Sequence, residues 1–234
     1  MNSSPFSLPT AGTLVKEDVA AMLRRQIISG GLLPGEQIAE GDWAARAGVS
    51  QSSVREALHI LAAEGFVQKS TGRSARVTKL TAEDVGDIYE LRARVEGLAA
   101  GLLARNLSPL DKLEKSVAQM HRAAEEGDME ALIANDLSFH LQMCKKCGNR
   151  ILAEYASQLL LPLFAFTQMR AHTNNVGMEA WTSHIPTHQR IVEVIRLGDP
   201  LVAEQFVSRI ILEKFGRFAY DIWENRPIEE TAPR

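Results

Sequence analysis

The chain has 234 residues, of which 45% are hydrophobic and 24% charged, and its formal net charge is -3. That length accommodates two domains with separate cores, and the composition is that of an ordinary globular protein. No apolar run approaches the roughly 18 residues of a membrane span. Two cysteines, Cys144 and Cys147, and a polar start without the basic and apolar blocks of a signal peptide lead us to expect a reducing, cytoplasmic setting. Charge is unevenly spread. Residues 1–80 hold nine Lys/Arg against seven Asp/Glu, leaving the remainder net acidic. This permits a nucleic-acid partner for the first part without requiring one.

In chain order, Val15 to Ser29 spaces Val19, Met22, Ile27 and Ile28 as an amphipathic helix does. Gly30-Gly31 ends it, and Pro34-Gly35 sets a turn. A short helix from about Ala39 to Ala47 is broken at Gly48. Ser50 then caps a helix reaching about Glu64, where Gly65 stops it. Two β-prone runs, from Phe66 to Lys69 and from Ala75 to Lys79, flank Thr71-Gly72-Arg73 as a hairpin. Strand signals cease after Leu80. Thr81-Ala-Glu-Asp84 is a capping box opening a helix to about Asn106, and Ser108-Pro109-Leu-Asp111 reads as a second, with Pro at the first helical position. Asp128, Asn149, Met178 and Asp199-Pro200 open four more helical stretches.

The expected fold is therefore mainly α. Residues 1–13 form a flexible start, 14–80 a winged helix-turn-helix, 81–226 an antiparallel all-α bundle of about six helices, and 227–234 a tail.

In Gly48-Val-Ser-Gln-Ser-Ser-Val-Arg-Glu-Ala-Leu58, the residues Val54, Ala57, Leu58 and Leu61 share one helical face. Gln51, Ser52, Arg55 and His59 share the opposite one. An apolar seat under a face of short polar side chains and arginine suits a major groove. The N–H groups at Ser50 to Ser52 suit a phosphate, and the hairpin at Gly72-Arg73 would be a wing. A surface helix in a domain that binds no DNA fits the same spacing. The run from Ile27 to Val67, with Pro34-Gly35-Glu36, Gly48-Val-Ser50, Val54-Arg-Glu-Ala-Leu58 and Glu64-Gly65, closely resembles the winged helix-turn-helix of the GntR family of bacterial transcription regulators. The resemblance implies DNA contacts at Ser50, Gln51, Ser52, Arg55, His59, Gly72 and Arg73. It also implies a homodimer reading a palindromic operator. Gln51 stands where that family usually has Arg, and Ser52-Ser53 where it has Thr-Pro. Gln pairs with adenine where Arg favours guanine, so a different operator is expected.

In the second part, Asp136 and His140 lie one helical turn apart. They suit either a shared divalent cation or a simple surface hydrogen bond. His188 sits beside Ile191, Val192 and Ile195, where a buried structural histidine fits equally. The segments around Arg92, around Asp136 and from Thr187 to Val207 resemble the FCD effector-binding domain of the FadR-type GntR subfamily. That resemblance implies Asp136, His140 and His188 as ligands for Zn, Ni or Mn. Ile210 stands at the usual fourth-ligand position, leaving a three-ligand site completed by water, or no metal at all, as in members that bind large acyl ligands. His184 is a substitute made awkward by Pro186. Arg92 matches the arginine that meets an effector carboxylate, with an i,i+4 salt bridge to Glu96 as the other reading.

Cys144-Lys-Lys-Cys147 has redox-site spacing without the surrounding pattern, so structural cysteines are expected. Phe164, Phe166, Met169 and Trp181 read as core residues that also suit a cavity wall. The expected function is a transcription regulator, a repressor, controlled by a small organic acid and not an enzyme. The alternatives are a metal-independent sensor of a larger acyl ligand, and a metal-dependent hydrolase.

Overall fold

The structure is a computed structural model that describes residues 15–69 and 74–226. The expected flexible start, the wing tip at Gly72-Arg73 and the tail lie outside the described residues. The chain divides into two compact units at Leu80/Thr81.

The first unit carries α1 (Val15–Ile28), β1 (Gln37–Ile38), α2 (Glu40–Ala47), α3 (Gln51–Ala63), β2 (Val67–Gln68) and β3 (Ala75–Val77). Gly48 adopts a left-handed φ of 67° and its N–H returns to the Ala44 carbonyl, so α2 ends in a turn that favours glycine. Ser50 Oγ then accepts from Ser53 N at 3.1 Å and starts α3. Val54, Ala57, Leu58 and Leu61 are buried against Val19, Leu23 and Ile27 of α1, as the helical spacing predicts. The three strands form an antiparallel sheet in the order β1-β3-β2, with Gln37 opposite Arg76 and Val67 opposite Val77. Strand β1 was not expected, because two residues carry no readable alternation.

The second unit is all helical among the described residues: α4 (Ala82–Arg105), α5 (Asp111–Glu126), α6 (Met129–Lys146), α7 (Arg150–Thr173), α8 (Met178–Thr182), α9 (Ile185–Arg196), α10 (Pro200–Ile210) and α11 (Arg217–Glu224). A π-helical turn, Ile211–Gly216, joins α10 to α11 without a break. The caps at Thr81, Asp128, Asn149 and Asp199 all form. Two expectations are corrected. The box at Ser108 does not form, because Leu107 turns left-handed and the Ser108 N–H closes the end of α4 on Leu103 O, at 3.1 Å. Helix α5 starts only at Asp111, with Leu110 buried and no side-chain cap. The stretch opened by Met178 is two helices, since Pro186 provides no N–H and sits at the start of α9.

Helix α4 makes its most extensive packing with α10. Gly97 and Gly101 permit this: a Cβ on Gly97 would lie 2.9 Å from Glu204 O and collide with Ser208 Oγ. Close approach of α4 brings Arg92 and Glu96 into the interior, where they are 1% and 0% exposed. Gly86, by contrast, faces open space. We expect Gly97→Ala to destabilise the protein by about 1–3 kcal/mol through overpacking. Gly86→Ala should stabilise by about 0.5–1 kcal/mol through helix propensity alone. Urea unfolding of both variants checks the contrast.

Candidate functional site

In the first unit, Ser50, Gln51, Ser52, Arg55 and His59 are all exposed along α3. Arg55 is not free. Its Nε and Nη2 donate to Glu40 Oε2 at 2.9 and 2.7 Å. Lys69 Nζ approaches Glu40 Oε1 at 3.9 Å and lies 3.4 Å from His59 Nε2. The hydrogen bond from Arg55 holds the Glu40 carboxyl below its ordinary pKa. Sequence reading missed Glu40, because a first-turn carboxylate is common at any helix start.

In the second unit, α6 and α9 bring three expected residues together. His188 Nε2 lies 3.0 Å from Asp136 Oδ1 and 3.3 Å from His140 Nε2. His140 Nε2 lies 3.2 Å from Asp136 Oδ1. The outer nitrogens fix the tautomers. His188 Nδ1 donates to the His184 carbonyl at 2.9 Å, and His140 Nδ1 donates to Glu96 Oε2. When both imidazoles are neutral, their Nε2 lone pairs therefore face the Asp136 carboxylate, three acceptors around one point. Metal–nitrogen bonds of about 2.0–2.1 Å separate neighbouring ligands by about 3.0 Å in octahedral and about 3.3 Å in tetrahedral geometry. The donor set fits a divalent cation, and the carboxylate and carbonyl behind the imidazoles are the usual outer partners of such ligands.

Burial opposes charge on Asp136, yet the two histidines hold its carboxyl far below the ordinary range. Burial would also lower the His140 pKa, but the carboxylates of Glu96 and Asp136 outweigh it and the value rises.

Arg92 satisfies its i,i+4 reading while keeping a free edge. Its Nε pairs with Glu96 Oε1, and its Nη2 is buried with no partner. Its guanidinium lies 5.0 Å from the centroids of both Tyr89 and Phe164. A small cavity beside the cluster is bounded by Arg92, Asp136, His140, Thr167 and His184 under an aromatic cover that includes Phe215. Phe164 and Trp181 also line it, whereas Phe166 is core and Met169 is half-buried.

His184 is not a ligand in place of the missing fourth histidine. Its ring nitrogens fall outside the ligand-atom cluster of Asp136, His140 and His188 and have no partner, and burial lowers its pKa to about 3. Phe215, from the π-helical turn, stacks on His188 at 5.1 Å. Both cysteines are free and buried: Cys147 Sγ donates to Cys144 O at 3.0 Å, and burial pushes the Cys144 thiol well up. That is a structural arrangement.

Residues 15–77 match the domain described as bacterial regulatory proteins, gntR family, and residues 87–213 match the FCD domain. The probable D-xylose utilization operon transcriptional repressor of Paenarthrobacter nicotinovorans is 30% identical over 85% of this chain and 88% of its own. The Glc operon transcriptional activator of Escherichia coli K12 is 29% identical over 68% of this chain and 70% of its own. Among solved structures, Escherichia coli McbR/YncC superposes with a TM-score of 0.71 at 22% identity, covering 88% of this chain and 98% of that one. Among the described residues, no helix is long and apolar enough to cross a membrane.

Because His140 gains proton affinity on folding, a cation entering this cluster must displace its proton. We expect the dissociation constant for Zn to fall about tenfold per pH unit as pH rises from 6.5 toward the raised His140 value. The metal-free protein runs the other way. The stabilisation from charged His140 is full below 6.5 and is lost as pH rises through the folded value. Chelator competition and thermal melts across pH check both signs, and His188→Ala should abolish Zn retention.

Proposed function

Since the chain belongs to the gntR family of bacterial regulatory proteins and carries an FCD domain, it is a DNA-binding transcription regulator, and we propose that a small organic acid, held beside a divalent cation in the helical unit, controls its affinity for DNA. The matched domains and relatives are those of a regulator rather than an enzyme.

The observation that carries this reading is a set of orphaned polar atoms. Among the described residues, the buried side-chain N and O atoms with no partner are Arg92 Nη2, Thr167 Oγ1, and His184 Nδ1 and Nε2. All line the one cavity beside Asp136, His140 and His188. Leaving such groups unpaired costs roughly 1–3 kcal/mol each, which a ligand with matching polar groups recovers. A carboxylate answers Arg92 and Thr167, and a hydroxyl answers neutral His184.

Charge supports the same ligand. With neutral imidazoles, the buried group holds one guanidinium and two carboxylates, a net -1. A divalent cation carries it to +1, and one effector carboxylate restores neutrality. Zn, Ni and Mn all suit these ligands; the ion supplies positive charge against the effector's oxygens, while Arg92 orients them.

The cavity has a volume of only about 20 Å³, room for little more than one water. An organic acid therefore selects a state in which the aromatic cover has withdrawn. Phe215 is the side chain placed to move, because the wide turn that carries it has an alternative in the ordinary α register. Ligand binding then shifts the population of two arrangements of a dimer, and with it the operator affinity.

The dimer face we assign is the α4/α10 surface. Leu91, Leu98, Leu201 and Val202 are exposed there, and Arg94 lies beside Asp87 and Glu90, a charge pattern that complements itself across a twofold axis. Two copies then present α3 to successive major grooves of a palindromic operator, with Ser50, Gln51, Ser52, Arg55 and His59 at the DNA. Repression is the sign we adopt, by analogy with the D-xylose operon relative.

The test is a thermal-shift panel of small hydroxy acids on Zn-loaded protein, followed by gel shift on DNA selected from a random pool. We expect one acid to raise the melting temperature and to release DNA. A panel that leaves both unchanged, in protein that retains Zn, overturns the effector reading. Thr167→Val should weaken that acid about five- to tenfold, as loss of one hydrogen bond does. Leu91→Glu should shift the protein to monomer in sedimentation.

A further inference from the structure

Glu40 is an anion on the surface that must face a polyanion. It lies at the first position of α2, its side chain is 21% exposed, and it gathers the cationic side chains of the reading face around itself. Arg55 comes from α3 and Lys69 follows β2, so the convergence joins three parts of the fold. Elementary electrostatics disfavours a carboxylate here for DNA affinity alone.

The stereochemistry of the contact supplies the reason. A guanidinium carries five N–H groups on two usable edges. Both bonds from Arg55 fall on one oxygen of Glu40, and they use Nε and Nη2. The side edge is thereby engaged, and three N–H groups remain at the Nη1/Nη2 end of a side chain that is 53% exposed. That end is the fork that pairs with O6 and N7 of guanine. An unsupported arginine on an exposed helix samples many rotamers and reaches a phosphate as readily as a base. A clamped one has its orientation set in advance. The neighbouring Gln51 side chain also reaches α2: a Cβ on Gly41 would lie 3.4 Å from its Nε2.

We propose that Glu40 is a positioning residue for DNA reading, fixing Arg55 so that its free end recognises guanine rather than sliding along phosphates. The proposal rests on the reading of α3 as the DNA-contacting helix. It predicts an unusual pairing of effects: removing the Glu40 charge improves non-specific binding while degrading discrimination between bases.

The experiment enriches DNA from a random pool with the wild-type full-length protein. Binding is then measured to the enriched site, to versions with each guanine replaced, and to a scrambled duplex. Glu40→Gln, Arg55→Lys, Arg55→Ala and the Glu40→Gln/Arg55→Lys double variant are compared, with melting temperatures recorded for each. For Glu40→Gln we expect preference for one guanine to fall about tenfold, and scrambled-duplex affinity to rise about threefold at low salt. Arg55→Lys, which keeps the charge but lacks the fork, should lose preference at the same guanine. Glu40→Gln should then have no further effect on base preference in that background, a non-additivity that a purely structural role does not produce. Unchanged base preference in Glu40→Gln, with affinity for all duplexes raised together, overturns the proposal and makes Glu40 a mere competitor for Arg55. A parallel fall in all affinities with a lowered melting temperature overturns it in favour of a folding role. If Arg55→Ala binds the enriched site undiminished, the α3 reading itself fails; if only Glu40→Gln is silent, that reading stands and the positioning role falls.

Discussion

The helical unit is organised around a continuous chain of buried polar contacts that runs from Arg92 through Glu96, His140 and Asp136 to His188 and the His184 carbonyl. It joins α4, α6 and α9, and four of its side chains are no more than 1% exposed. Isolated charges at such depth cost several kcal/mol each. Each carboxylate here is accordingly set between two side chains, and each imidazole has its Nδ1 proton committed. The arrangement fixes more than stability. Glu96 accepts a hydrogen bond from His140 Nδ1, the His184 carbonyl accepts one from His188 Nδ1, and the Nε2 atoms of the neutral rings face one point. The donor set that fits a cation is thus a consequence of how the interior arranges its charges.

The two units use charge in opposite ways. The interior cluster is buried, so its pairings are strong and its balance of charge matters. The reading face of the first unit is wet, where ion pairs contribute little to stability. The contact of Glu40 with Arg55 therefore has its value in geometry rather than in energy. A formal charge of -3 for the chain is compatible with DNA binding for the same reason, since the DNA meets one face and not the sum.

The aromatic cover of the cavity ties the site to the bundle. Phe215 and Phe218 come from the π-helical turn and α11, and they pack on His184 at 5.3 and 4.5 Å. The α10–α11 helix is also the partner of α4 through Gly97 and Gly101. Any ligand that displaces Phe215 thus acts on a helix that lies along the α4/α10 surface, where the exposed leucines are. Packed helices of this kind move between discrete arrangements rather than deforming smoothly.

Much of this was legible in the residues themselves, and the limits have physical causes. Hydrophobic spacing and capping chemistry act locally, so α1, α3, α4 and the caps at Thr81, Asp128, Asn149 and Asp199 follow from the sequence alone. The i,i+4 spacing of Asp136 and His140 is likewise local, and resemblance supplied His188 as their partner. Sequence could not tell that Arg92 would pair with Glu96 and still present a free Nη2, because both readings use the same side chain and only burial lets them coexist. Glu96 behind His140, Glu40 behind Arg55, and Phe215 over the histidines were invisible for a related reason. Each is 15 to 44 residues or more from what it touches, and the backbone path that closes such distances is set by global packing. The sequence by itself determined most of the elements, the two-part organisation and which side chains have chemistry to offer. The tertiary structure alone decided which of their atoms are satisfied and which are left open, since that depends on what is excluded from water together.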